Sequence, residues 1–267
     1  MATDPYSAPR AHVADAPGAP FEGDYVPQGQ SVPAGNGWAW ISASWDFFKQ
    51  QPGTWILIVI VLFALMVVLS LIPVVNVAAQ LLAPVFIGGI MIGCRAMEQG
   101  GGLEVGHLFA GFRDHPGKLI LVGLFYIGAV FCIVVLMLLI AFVTVGGSVL
   151  AQVVAGGDPN TLPPETLLFA SLMLLVLLLV GLALLIPVYM AIWFAPALIT
   201  LNGAEVGAAL KTSFSACLRN IVPFLIYGIV MFLLSIVATV TVLGWFVLLP
   251  MLVASVYTAY RDIFYAR

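Results

Sequence analysis

Charge is scarce in this 267-residue chain: 8% of its residues are Asp, Glu, Lys or Arg, against 63% hydrophobic ones. An ordinary soluble domain is roughly 25% charged and about half apolar. A water-soluble fold of this size has too few charges to cover itself. With a formal net charge of −3, the chain also lacks the basic surface that nucleic acid requires. Cysteine is sparse as well. Cys94, Cys132 and Cys217 lie in or beside apolar segments without a Cys-x-x-Cys spacing, so a disulfide framework or zinc site has no basis. The first 36 residues lack the basic start and apolar core of a signal peptide. They hold six prolines and predict a disordered tail.

Chemical motifs are missing too. There is no His-Glu-x-x-His, no Gly-x-Ser-x-Gly and no P-loop. Gly100-Gly101-Gly102 follows a helix end without the strand that a phosphate cradle needs. The stretch from Glu98 to Lys118 gathers Glu98, Glu104, His107, Asp114 and His115. His107 and His115 stand eight apart, whereas ligands sharing a helix face stand three or four apart. The expectation is a solvated loop, with no metal, no cofactor and no enzymatic activity.

Long apolar runs are what the chain does have. They cover residues 54–72, 77–97, 119–154, 166–201, 221–241 and 242–264. A span needs about 20 residues to cross a core of about 30 Å. The pattern predicts an all-α fold, a polytopic bundle of six transmembrane helices. The short connection Pro73-Val74-Val75-Asn76 forces the first two runs into a hairpin, and Gly244-Trp245 does the same for the last two. The third and fourth runs hold 36 residues each. At 1.5 Å per residue that is about 54 Å, too long for a plain crossing. A break at Gly146-Gly147 and kinks at Pro187 and Pro196 are the expected remedies.

With six crossings, all nine Lys and Arg residues fall on the side of the two termini. The positive-inside rule makes that side cytoplasmic. No Asp, Glu, Lys, Arg or His lies in the middle of an apolar run, although ion-coupled transporters usually carry such groups there.

The chain also resembles itself. Residues 48–57 (FKQQPGTWIL) match residues 112–121 (FRDHPGKLIL) at five of ten positions. Gly102-Leu103-Glu104-Val105-Gly106 resembles Gly203-Ala204-Glu205-Val206-Gly207. These matches predict a unit repeated three times, an amphipathic lead-in helix followed by a transmembrane hairpin. After the tail of residues 1–36, the units cover 37–98, 99–202 and 203–267. The lead-in stripes are Trp38, Ile41, Trp45 and Phe48; then Val105, Leu108, Phe109 and Phe112; then Val206, Leu210, Phe214 and Leu218. Trp38, Trp40, Trp45 and Trp55 are expected to form an interfacial aromatic belt. Gly89 and Gly93, in a Gly-x-x-x-Gly motif, are expected at a close helix contact, within the monomer or between protomers. Asn76 and Gln80, with Thr144, Ser148 and Gln152, form polar stripes near the outer ends. They suit interhelical hydrogen bonds or the lining of an outward cavity.

The order Gly37-Trp38-x-Trp40, Phe48-Lys49-x-x-Pro52, Pro84-Val85-Phe86, Cys94-Arg95-Ala96 and His107-Leu108-Phe109-Ala110-Gly111-Phe112-Arg113 resembles a family of hypothetical proteobacterial inner-membrane proteins. The resemblance runs from Gly37 to the end and implies a bacterial plasma membrane and this topology. It transfers no catalytic residue. The expected function is that of a non-enzymatic scaffold acting on membrane lipid, another membrane protein or a second copy of itself. The alternative is a channel or transporter for a neutral or apolar solute.

Overall fold

The structure, a computed structural model, describes residues 23–266 apart from 71–72, 157–162 and 242. Helix α1 (Asn36–Gln50) turns through 97° into α2 (Pro52–Ser70). Pro52 opens the second helix, where its missing N–H costs nothing. Helix α3 (Pro73–Glu98) takes in residues 73–76, which were expected to be the connection, so that connection falls on 71–72, outside the described residues. A 3₁₀ segment (Val105–Phe112) leads to α4 (Pro116–Ala141), a π turn (Phe142–Gly146) and α5 (Gly147–Val154). Helix α6 (Pro164–Ile192) is followed by α7 (Ala195–Asn202), α8 (Val206–Arg219), α9 (Ile221–Thr241) and α10 (Trp245–Phe264). Among the described residues five helices are long and apolar enough to cross a membrane, and six when the bent α1–α2 pair is counted as one span.

The two long runs are resolved differently. Gly146-Gly147 does not break the third run, and the helix continues from Pro116 to Val154 through the π turn. Thr144 Oγ1 donates to the Ile140 carbonyl at 2.7 Å, a back-bond that loosens the local ladder. Pro187 sits inside α6, while the chain opens at Trp193-Phe194, just before Pro196. The hydroxyl of Ser213, on α8, fills that opening. It donates to the Met190 carbonyl at 2.7 Å and accepts the Phe194 N–H at 2.9 Å. Those two groups are i−4 partners in an unbroken helix, so the hydroxyl replaces one rung.

Packing is dense at the end of the bundle that carries both termini. Phe86, Met91, Cys94, Phe194, Leu198, Ile199, Tyr257, Tyr260 and Phe264 are buried there. Toward the far end, α2, α4, α6 and α9 turn Leu, Val, Ile and Phe outward. Among the described residues the 39-residue spans Pro116–Val154 and Pro164–Asn202 have almost no burial in their most apolar stretches. Lipid makes such a surface stable where water would not.

The lead-in segments dock in a regular order. Helix α1 packs on α9 and α10, the 3₁₀ segment on α3, and α8 on α6. Each therefore sits on the hairpin before it, and the first sits on the last. Small residues permit the approach. A Cβ on Gly37 would strike the Pro223 carbonyl, and one on Gly111 the Val85 carbonyl. On α8 the facing residues are Ala209, Ser213 and Ala216.

The expected tail also ends earlier. Residues 23–35 are strapped to the C-terminal end of α10 and the α8–α9 corner. Val26 N–H donates to Phe264 O at 2.8 Å, and Ala266 N–H to Asp24 O at 3.0 Å. Asn220 Nδ2 donates to Gln30 O at 3.0 Å, and Val32 N–H to Asn220 Oδ1 at 2.9 Å. Asn220 is fully buried, and the strap supplies the partners its amide needs.

Candidate functional site

Charges are rare in this chain, so a place where three of them meet stands out. On α10, Tyr257 and Arg261 stand four apart, as do Thr258 and Asp262 beside them, and Tyr265 follows just past the helix end. Helix α3 ends against this face and presents Glu98. Arg261 forms an ion pair with Glu98, and the Tyr257 hydroxyl donates to the other Glu98 oxygen. The Arg261 guanidinium lies 5.6 Å from the Tyr265 ring centre. One Asp262 oxygen accepts from Asn36 Nδ2 at 2.7 Å and from Trp40 Nε1 at 2.8 Å. These groups, with Ala43 and Phe47 of α1, enclose a cavity of about 200 Å³. The strap braces its rim, since Gln30 Nε2 donates to the carbonyls of Asp262 at 2.9 Å and Tyr265 at 3.2 Å. Tyr25 bridges to Tyr265, and burial together with that neighbour raises its hydroxyl pKa.

Beside the cavity lies a groove of about 580 Å³ between α2, α3 and α10. Its lining is apolar, from Trp55 and Ile58 through Leu62 to Met66 on α2, facing Leu249 and Val253 on α10. A second apolar recess of about 340 Å³ runs between α4 and α6.

The sequence-predicted residues distribute unevenly over this architecture. Trp38 and Trp45 are 59% and 41% exposed and suit an interfacial belt. Trp40 and Trp55 do not, at 2% and 1% exposed. Trp40 turns inward to donate to Asp262 and pack on Phe224 at 5.1 Å, while Trp55 Nε1 donates to the Phe47 carbonyl at 3.2 Å. The stripe on α1 is split in the same way. The bundle-facing residues are Gly37, Trp40, Ile41, Ser44 and Phe48, so Trp38 and Trp45 face away. In the second segment the tighter 3₁₀ period buries Leu108 and Gly111, leaving Phe109 and Phe112 exposed. On α8, Phe214 and Leu218 also point outward.

Gly89 and Gly93 do face a close contact, but the neighbour is the 3₁₀ segment. A Cβ on Gly89 would meet the carbonyls of His107 and Leu108, and one on Gly93 would meet Leu103 and His107. Thr144 and Ser148 satisfy backbone carbonyls of their own helix. Gln152 alone of that stripe reaches across, donating to Thr166 Oγ1 at 3.2 Å. Gln80 is exposed, and the Asn76 side chain lies outside the described residues. His107 Nδ1 accepts the Glu104 N–H at 2.9 Å, which caps the 3₁₀ segment. Glu98, expected at the start of a solvated loop, instead closes α3 and pairs with Arg261, a partner that the sequence pattern does not indicate. For the α10 side of the pair, the available signal was the i, i+4 series of Tyr and Arg at the close of the last apolar run.

These features define a class: a multi-pass α-helical membrane protein whose polar network is concentrated at the end carrying its termini. The membrane is the inner one. The chain is 27% identical, over 76% of its own length and 75% of the relative's, to a protein of Burkholderia thailandensis named "Probable inner membrane protein". No family model and no solved structure matches the chain.

Proposed function

We propose that this protein is a non-enzymatic organiser of lipid and partner proteins, working from the cytoplasmic face of the inner membrane with both termini inside. The reading rests on one observation. All three lead-in segments leave large apolar side chains exposed: Trp38 and Trp45, Phe109 and Phe112 at the edge of Phe86, and Phe214 and Leu218. Each segment has small residues at its closest contacts with the bundle, Gly37, Gly111 and Ala209 among them, and keeps part of its bulk exposed, as an interfacial anchor does. We read the three segments and their hairpins as tandem units arranged in a ring.

Transport draws less support. Ser148 and Gln152 do line an outer pocket of about 400 Å³ with Glu165 and Thr166, but Thr144 and Ser148 spend their hydroxyls on their own helix, and the recesses between α4 and α6 and among α2, α3 and α10 have apolar linings. Photo-crosslinking side chains at Trp38, Phe109 and Phe214 test the reading in native membranes. Lipid adducts and discrete protein adducts from all three positions are expected. Adducts from none, together with solute flux in reconstituted vesicles above protein-free controls, refute it.

A further inference from the structure

We propose that the polar cavity and the apolar groove beside it together hold one phospholipid of the leaflet facing the termini, with a primary-ammonium headgroup. The inference deepens the lipid-organising reading and rests on it for the choice of leaflet.

The groove has the dimensions of one leaflet. Its α2 wall runs from Trp55 to Met66, eleven steps of 1.5 Å or about 16 Å. Half of a core of about 30 Å is about 15 Å. Trp55 stands at the α1–α2 bend, so the groove begins at the charged end and runs inward.

The cavity lies along the continuation of the same helix faces. On α10, Val253 lines the groove and Tyr257 and Arg261, one and two turns on, line the cavity. On α3, Ile90 lines the groove and Glu98, eight residues on, lines the cavity. Phe47 and Trp55, joined by the indole N–H to carbonyl bond, mark the border between the two. An amphiphile is the molecule that fills an apolar slot and a polar pocket set end to end.

Charge selects the headgroup. Glu98, Asp262 and Arg261 sum to −1. Both carboxylates are acceptors for an ammonium, and an ammonium donates three hydrogen bonds. Arg261 is the donor for the lipid phosphate, sharing its five N–H groups with Glu98. A purely anionic headgroup meets two carboxylates instead, with repulsion strengthened by partial burial. Choline fills more volume and has no N–H to donate.

Native mass spectrometry of the full chain in detergent tests this, with dioleoyl phosphatidylethanolamine, phosphatidylcholine and phosphatidylglycerol at equal concentration. Retention of one ethanolamine lipid is expected, preferred over the glycerol lipid by about tenfold, a difference of about 1.4 kcal/mol. Glu98→Gln removes one negative charge and should narrow that preference to about twofold by raising glycerol-lipid retention, a gain that misfolding does not produce. Leu249→Trp, on the open side of the groove, should lower all lipid retention while leaving headgroup order unchanged. Free phosphoethanolamine should fail to displace the lipid.

Equal retention of the three lipids overturns the proposal, as does a preference insensitive to Glu98→Gln. Displacement by free phosphoethanolamine, or a co-purifying apolar helix in place of lipid, overturns it as well. Loss of the headgroup preference with crosslinks from Trp38, Phe109 and Phe214 intact refutes this site and leaves the lipid-organising reading standing.

Discussion

Replacing Ser213 by Ala should destabilise the protein far more than the loss of a hydroxyl at a surface site. Ser213 is fully buried, and its oxygen serves two backbone groups at the α6–α7 opening. Without it, the Met190 carbonyl and the Phe194 N–H stand i−4 apart with no rung between them. Each buried group left without a partner costs about 1–3 kcal/mol, so the variant should lose about 2–5 kcal/mol. The helix could avoid that cost by closing the rung itself. Pro196 opposes this from the next turn, because its ring clashes with the Ile192 carbonyl and bends the helix away from the straight path that the Met190–Phe194 rung needs. The design therefore has a second half. In a Pro196→Ala background the helix closes, and the same Ser213→Ala change should cost under about 1 kcal/mol. The coupling between the two sites should exceed about 1 kcal/mol, within the range for residues sharing a network. Thermal or SDS-induced unfolding of the four proteins in one detergent, followed by helical circular dichroism, measures it. A Ser213→Ala loss below about 0.5 kcal/mol, or equal losses in both backgrounds, refutes the account of the hydroxyl as a replacement rung.

Gly111→Ala should cost about 1–3 kcal/mol by overpacking, since the new methyl would strike the Val85 carbonyl, and wild-type unfolding of the variant would show the contact to be loose. Cys217 is buried, and burial pushes its thiol up to about 12, against a smaller lowering by Ser213. At pH 8 the thiolate is then about one part in ten thousand, so an aqueous maleimide should label Cys217 only after SDS unfolding, and rapid labelling of the folded protein would contradict its burial. A reporter fused within residues 155–165 should be exported and one fused after Arg267 retained, as the distribution of Lys and Arg requires; the opposite pattern inverts the topology.

The spans were legible because apolar run length answers directly to bilayer thickness. Their interruptions were not. Pro196 announces a break, but the residue that makes it tolerable, Ser213, lies on another helix and carries no local signature. Gly146-Gly147 shows the converse, a breaker signal absorbed as a π turn because the ladder could widen without ending. The lead-in stripes were legible, but which of their residues face the bundle was not, for a reason specific to membranes. In water, the bulky apolar stripe of a helix turns inward. Here the outward side is itself apolar, so bulk can face either way: Trp38 and Trp45 turn out, while Ile41, Phe48 and Leu108 are buried beside Gly37, Ser44 and Gly111. Trp40 shows that even an interfacial residue type turns inward when its N–H has a carboxylate to reach. The cavity escaped notice because Glu98 and Arg261 lie 163 positions apart, and only the packing of α3 on α10 joins them.

The docking order bears on how the hairpins are held at fixed angles to one another. A hairpin of two apolar helices has no reason to hold a fixed angle to its neighbour in lipid, since both surfaces are equally soluble there. A lead-in segment that packs on the preceding hairpin supplies that reason at the membrane surface, where water and polar groups discriminate. Helix α1 on α9 and α10, the 3₁₀ segment on α3, and α8 on α6 provide three such joints, and the first joint closes the series onto the last. The strap of residues 23–35 reinforces the closing joint, where chain connectivity gives no help. It does so with backbone bonds to Phe264 and Ile263 and with the buried amide of Asn220. Polar bonds therefore concentrate, among the described residues, where the first segment meets the last hairpin, and the Glu98–Arg261 cavity sits beside that joint. A lipid headgroup bound there would tie the first hairpin to the last.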